Sequence, residues 1–193
     1  RIAPKQVRVI PVAQHKEGVL DRSEELLAAI RAEGLRADID ESEKSPGWKF
    51  SEQEMLGIPV RVELGPKDIE NGQAVLVRRD TREKTVVSID DVPAVLKELL
   101  ETVQQDMYDR ANEFLQGHID TATTMDEMVE KFKANRGFVK ACWCGDPECE
   151  GEVKYATGGA ATRCLIEDEE MISDKCIWCG KPAKHMAYWG KSY

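Results

Sequence analysis

Residues 1–141 contain no cysteine, and all six (Cys142, Cys144, Cys149, Cys164, Cys176 and Cys179) lie in the last third of the chain. Two regions of different chemistry are expected. No run of eighteen apolar residues occurs, which excludes a membrane-spanning helix. No charged-then-apolar leader precedes the first elements, and the chain opens Arg1-Ile2-Ala3-Pro4 without an initiator methionine, as expected of a fragment. A basic surplus is also missing: the formal net charge is −9, and both regions share the acidic excess. Proteins that grip nucleic acid through phosphates usually show a basic stripe. Any such role here must rest on particular residues rather than on bulk charge.

What is present suits a globular chain, with 41% hydrophobic and 33% charged residues over 193 positions. That length accommodates one large domain or two small ones, and the cysteine distribution favours two. No internal repeat or low-complexity tract interrupts the chain.

Val7 to Val12 reads as a buried strand, and Val19, Leu26, Leu27 and Ile30 recur at helical spacing until Gly34. Leu35 to Asp40 alternates, so a parallel strand follows a crossover helix. After a polar loop from Glu41 to Gly47, Phe50 to Leu56 reads as a short helix and Val60 to Leu64 as a third strand. Gly65-Pro66 marks a turn, and Ala74 to Arg79 with Thr85 to Ile89 reads as a hairpin. A long helix starts near Asp90 and extends to Leu115, marked by Val92, Leu96, Leu100 and Val103. Thr124 and Glu127 have capping-box spacing before one more helix. The expected architecture is a mixed five-stranded α/β sheet flanked by helices over residues 1–105, then a small α+β domain over 106–193.

Cys176-Ile177-Trp178-Cys179-Gly180 and Cys144-Gly145-Asp146-Pro147-Glu148-Cys149 each place two thiolates within ligand spacing and follow a cysteine with glycine. Buried free thiols, or two disulfides in an oxidising compartment, are the alternatives. Two close pairs in a turn-rich segment favour a structural zinc on Cys144, Cys149, Cys176 and Cys179, and a reducing, cytoplasmic setting. Cys142 and Cys164 read as core thiols, and His185 as an ordinary surface or packed histidine.

Charge and aromatics also gather between Ser45 and Asp68. Phe50 and Glu54 are one helical turn apart, and Arg61 and Glu63 share a strand face. Taken alone, they fit a half-exposed strand with salt bridges and a core phenylalanine. However, Pro46-Gly47-Trp48-Lys49-Phe50, Gly57-Ile58-Pro59-Val60-Arg61-Val62-Glu63-Leu64-Gly65-Pro66-Lys67-Asp68 and Gly72-Gln73-Ala74-Val75 resemble the anticodon-binding domain of the archaeal and eukaryotic type of prolyl-tRNA synthetase. Cys144 to Cys149, the pair Cys176 and Cys179, and the ending Trp189-Gly190-Lys191-Ser192-Tyr193 resemble that family's zinc-binding C-terminal domain. Together these segments span nearly the whole chain. Sister synthetases for threonine, histidine and glycine share a similar anticodon domain, and this type of prolyl enzyme also occurs in some bacteria.

The resemblance implies recognition of proline tRNA on behalf of a class II catalytic domain that would precede Arg1. That domain would use proline, ATP and Mg, and would bring two copies together as a homodimer in the full-length enzyme. No catalytic residue is expected within this chain. By resemblance, Phe50 stacks on a splayed base, Glu54 accepts from a guanine edge, and Arg61 and Lys67 donate toward O6, N7 or phosphate, with Lys84 beside them. Tyr193 is implied to support the active site. A free-standing RNA- or protein-binding zinc module and a sister class II synthetase fragment are the competing readings.

Overall fold

The computed structural model describes residues 3–134 and 137–192. It divides into two compact units, Arg1–Tyr108 and Asp109–Tyr193.

In the first unit, strand β1 (Val7–Pro11), helix α1 (Val19–Ala32) and strand β2 (Ala37–Ile39) form a parallel crossover, with Arg8 opposite Asp38. Helix α2 (Pro46–Met55) leads to β3 (Val60–Leu64), which pairs in parallel with β1 on its other side. A five-residue helix, α3 (Pro66–Glu70), precedes the antiparallel strands β4 (Gln73–Arg78) and β5 (Lys84–Ser88). Helix α4 (Val92–Gln116) follows. The sheet order β2-β1-β3-β4-β5 is the mixed five-stranded arrangement expected from the sequence.

Alternation along the strands gives this sheet two faces. Val7, Val9, Val60, Val62 and Leu76 are buried in one cluster with Leu26 and Ile30 of α1 and Leu96 and Leu100 of α4. Each such side chain contributes about 1.5–3 kcal/mol when fully buried. The register places Asp38, Arg8, Arg61, Val77 and Lys84 in a row across all five strands, on the other face.

Two local readings change. Helix α2 starts at Pro46 instead of Phe50, because the Ser45 hydroxyl accepts the Trp48 N–H and Pro46 sits in the first turn, where its missing N–H costs nothing. Gly65-Pro66 opens α3 instead of a simple turn, and the Asp68 carboxylate accepts the Gly65 N–H at 2.9 Å.

The second unit holds β6 (Ile119–Thr121), α5 (Met125–Ala134), β7 (Phe138–Trp143), α6 (Pro147–Thr157), β8 (Ala160–Ile166) and β9 (His185–Lys191). Its sheet order is β6-β7-β9-β8. The Glu127 carboxylate accepts the Thr123 and Thr124 N–H groups while the Glu127 N–H donates to Thr124 Oγ1, the cap that the spacing predicts. Met128, Val139, Val153 and Trp189 fill the core, and Trp189 meets Trp143 edge-on at 6.2 Å between ring centroids. Strand β8 lies at the sheet edge and slips register between Thr162 and Cys164, leaving Arg163 as an extra residue opposite β9. Its guanidinium donates to Gly190 O and Ser192 Oγ. Among the described residues, no helix is long and apolar enough to cross a membrane.

Candidate nucleic-acid interface and metal centre

Helix α2 lies over the polar face of the first sheet and brings one edge of its side chains onto β3. Arg61 Nε donates to Glu63 Oε1 at 2.8 Å, and one terminal nitrogen donates to Glu54 Oε1 at 3.2 Å and Gln53 Oε1 at 3.3 Å. The guanidinium carbon sits 4.5 Å from the centre of the Phe50 ring. Arg61 and Glu63 are therefore buried side chains, where strand alternation alone predicted a half-exposed pair. Helix α2 supplies the cover.

The rim is cationic. Lys84 Nζ reaches Glu63 Oε2 at 3.3 Å, Arg82 reaches Glu54 Oε2 at 3.1 Å, and Arg79 Nε donates to the Glu54 carbonyl at 2.7 Å. Three rim cations and Arg61 thus face two carboxylates, a local positive surplus on an acidic chain. The arrangement offers an aromatic ring, a carboxylate and several N–H donors to an unstacked base, the set that reads guanine edges and phosphate.

Phe50, Glu54, Arg61 and Lys84 come together in this way. Lys67 is exposed on α3, and no hydrogen bond or ion pair joins it to the cluster among the described residues. Tyr193 lies outside the described residues. Gln53, Arg79 and Arg82 also reach this cluster without being singled out in the sequence, and Glu63 stands out there only for sharing a strand face with Arg61. The two-residue spacing of Arg61 and Glu63 was the available signal for Glu63, and the Asp80-Thr81-Arg82 turn for Arg82. Nothing local distinguishes Gln53.

Lys49 and Gln53 anchor α2 from its buried side. Lys49 Nζ donates to Gln14 Oε1 at 2.7 Å and to the Asp40 carbonyl at 2.8 Å, and Gln53 Nε2 donates to the Ile58 carbonyl. Burial pushes the Lys49 ammonium below its ordinary range, against the opposing pull of Asp40.

In the second unit the Sγ atoms of Cys144, Cys149, Cys176 and Cys179 all lie within 4.8 Å of one another. The pair Cys144–Cys149 is 3.6 Å apart and Cys144–Cys179 3.9 Å. Four thiolates at 2.3 Å around one ion define tetrahedral edges of about 3.8 Å, so the cluster can hold a metal ion. Positive φ at Gly145 (+86°) and Gly180 (+67°) turns each knuckle sharply, a conformation that glycine adopts without strain. Burial pushes the Cys149 and Cys144 thiols up. Burial opposes ionisation of Cys176 too, but the N–H groups of Cys179, Trp178 and Cys144 outweigh it and bring that thiol to about 7. A bound cation would displace the thiol protons, including those that burial holds on Cys144 and Cys149.

Cys142 is a buried thiol on β7 outside this set, as expected. Cys164 is exposed, contrary to the core position predicted, because it follows the bulge on an edge strand. His185 packs beside Trp143 at 6.2 Å and is no member of the ligand set. Cys149 belongs to α6, which starts at Pro147 under an Asp146 cap, where the sequence suggested only turns.

Comparison with known proteins gives two family matches. Residues 6–99 match the model described as anticodon binding domain, and residues 125–193 the model described as prolyl-tRNA synthetase, C-terminal. All 193 residues align with proteins named proline-tRNA ligase from Lachnospira eligens and Clostridium novyi, each at 53% identity, and from Clostridium botulinum at 49%. The chain spans 40% of the length of these relatives.

Proposed function

We propose that this chain, which belongs to the C-terminal region of the prolyl-tRNA synthetase family, recognises the anticodon of proline tRNA for a ligase that attaches proline to that tRNA. The observation that carries the reading is the Phe50–Arg61–Glu54 cluster, inside the segment matched to an anticodon binding domain. Proline anticodons share two guanines, whose O6 and N7 accept and whose N1 and N2 donate. Phe50 offers a stacking surface, Glu54 an acceptor, and Arg61, Lys84 and Lys67 donors. Catalysis, with its ATP, Mg and proline, belongs to a class II domain in the part of the relatives that this chain does not cover. Homodimer formation and a cytoplasmic location accompany that whole enzyme.

The anticodon-binding domain is assigned to residues 1–105 and the C-terminal domain to 106–193, supported by the division into compact units and by the family matches. Zinc is the proposed ion of the cysteine cluster, because four thiolates suit it and leave no open position for catalysis. Cys144, Cys149, Cys176 and Cys179 would hold it, and its role would be structural. Clostridial relatives that align over the entire chain are consistent with the archaeal and eukaryotic type of enzyme extending into bacteria. Tyr193 is assigned a supporting role at the catalytic site on resemblance.

Glu54→Gln tests the anticodon reading. Fluorescence anisotropy should show a loss of about 1–3 kcal/mol in binding a proline tRNA transcript and little change with a transcript whose two anticodon guanines are replaced. Equal weakening of both transcripts would remove Glu54 from base recognition.

A further inference from the structure

Glu54 is held by two cations of different kinds. Arg61, on Oε1, is buried and fixed by Glu63, Gln53 and the Phe50 ring. Arg82, on Oε2 at 3.1 Å, has a side chain 76% exposed. It sits in the β4–β5 turn at φ +62°, a left-handed conformation that non-glycine residues enter at a cost. The Arg82 N–H donates to the Arg78 carbonyl at 3.0 Å, and the turn so closed returns the side chain to α2. In the free protein Arg82 thus supplies charge to a carboxylate that otherwise shares Arg61 with Glu63.

We propose that Arg82 is a further tRNA-binding residue, seated on Glu54 in the free protein and exchanged onto an RNA phosphate when a guanine takes that seat. This rests on the anticodon reading above. Guanine presents N1–H and N2–H side by side, and a carboxylate receives both with its two oxygens turned toward the base. Arg61 approaches Glu54 from the buried side, so the base enters from the solvent side, where Arg82 lies. An exposed ion pair on a flexible side chain is weak and yields to a bidentate base contact. The displaced guanidinium stays at the rim, where a phosphate oxygen pair matches its fork geometry. The exchange keeps both the carboxylate and the guanidinium partnered before and after binding.

The experiment measures binding of the 193-residue chain to a proline tRNA transcript and to the guanine-replaced transcript, by anisotropy from 50 to 200 mM salt. Only the first transcript releases Arg82 to a phosphate. Its slope of log K against log salt is therefore expected to be steeper by about 0.7, the value for one contact on a single strand. Arg82→Gln, which keeps the backbone strain unchanged, should remove that difference. Slopes that are equal in the unaltered chain, or a difference that survives Arg82→Gln, would overturn the exchange. Failure of the anticodon reading has a separate signature, the equal weakening of both transcripts by Glu54→Gln.

Discussion

The two units solve the same problem with different materials. The first buries Val, Leu and Ile from a five-stranded sheet against α1 and α4, and it contains no cysteine. The second has a smaller sheet whose buried cluster is padded with Ala122, Ala141, Ala160 and Ala187, side chains that remove little apolar surface from water. Its four clustered thiols stand where more apolar area would otherwise be required. A core complete on one face leaves the first unit's other face available for polar chemistry, and that is where Arg61, Glu63 and Glu54 collect.

Removing the proposed zinc is the strongest way to break this contrast. Structural zinc contributes about 10–16 kcal/mol of apparent binding energy in small zinc domains, so a chelator should unfold the second unit and spare the first. Elemental analysis should return one zinc per chain. After chelation only the first unit's thermal transition should remain, and an unchanged melting profile would contradict the staple.

The first unit is more sensitive to its buried charges. Arg78 donates to both oxygens of Asp80 at 3.0 and 2.8 Å and to Asp106 at 2.6 Å. Those partners hold its guanidinium well above the ordinary range, led by the hydrogen bonds to Asp80. Arg78→Met should cost about 3 kcal/mol, the low end for breaking a buried pair, because Asp106 is partly exposed. Urea denaturation should show the loss at a Cys-free transition, with the second unit's transition unmoved.

Lys49→Met asks whether the anchoring of α2 can be replaced by apolar contact. It leaves Gln14 Oε1 and the Asp40 carbonyl without their donor and should cost about 1–3 kcal/mol. Weaker tRNA binding at temperatures where the variant remains folded would show that α2 must be held from both sides.

The smallest effect belongs to the cap of α5. Backbone and side-chain hydrogen bonds from Thr123, with the Thr124 N–H, hold the Glu127 carboxyl below the usual carboxylate range. A depressed folded pKa stabilises fully above the ordinary value of about 4.3 and loses that contribution as pH falls through the folded value. Glu127→Gln should therefore lower the Tm of the second unit slightly at neutral pH and make no difference once the pH is below the folded pKa. Melting curves across that acid range are the check.

Much of the first unit was legible because its strands alternate and its helices repeat at 3.6 residues. The gathering of Cys144, Cys149, Cys176 and Cys179 was legible because paired cysteines carry their own spacing rule. Burial of Arg61 and Glu63 was not, since it depends on α2 folding over β3, and alternation reports which residues share a face without reporting what covers it. Ser45-Pro46 and Asp146-Pro147 are both helix-start signals, yet the surrounding polar and cysteine residues read as loop. The β8 strand escaped for a third reason: its bulge at Arg163 breaks the two-residue period that would have revealed it.

That bulge has a bearing on self-association. A seven-residue edge strand presents a row of outward N–H and C=O groups, the template on which one chain adds to another. At Arg163 the row loses its regular spacing, and a cation tied to Gly190 and Ser192 stands at the break. A neighbouring strand could keep register with only part of this edge. The irregularity that hides β8 from pattern reading thus also breaks the even row of backbone groups that a second strand would need along this edge.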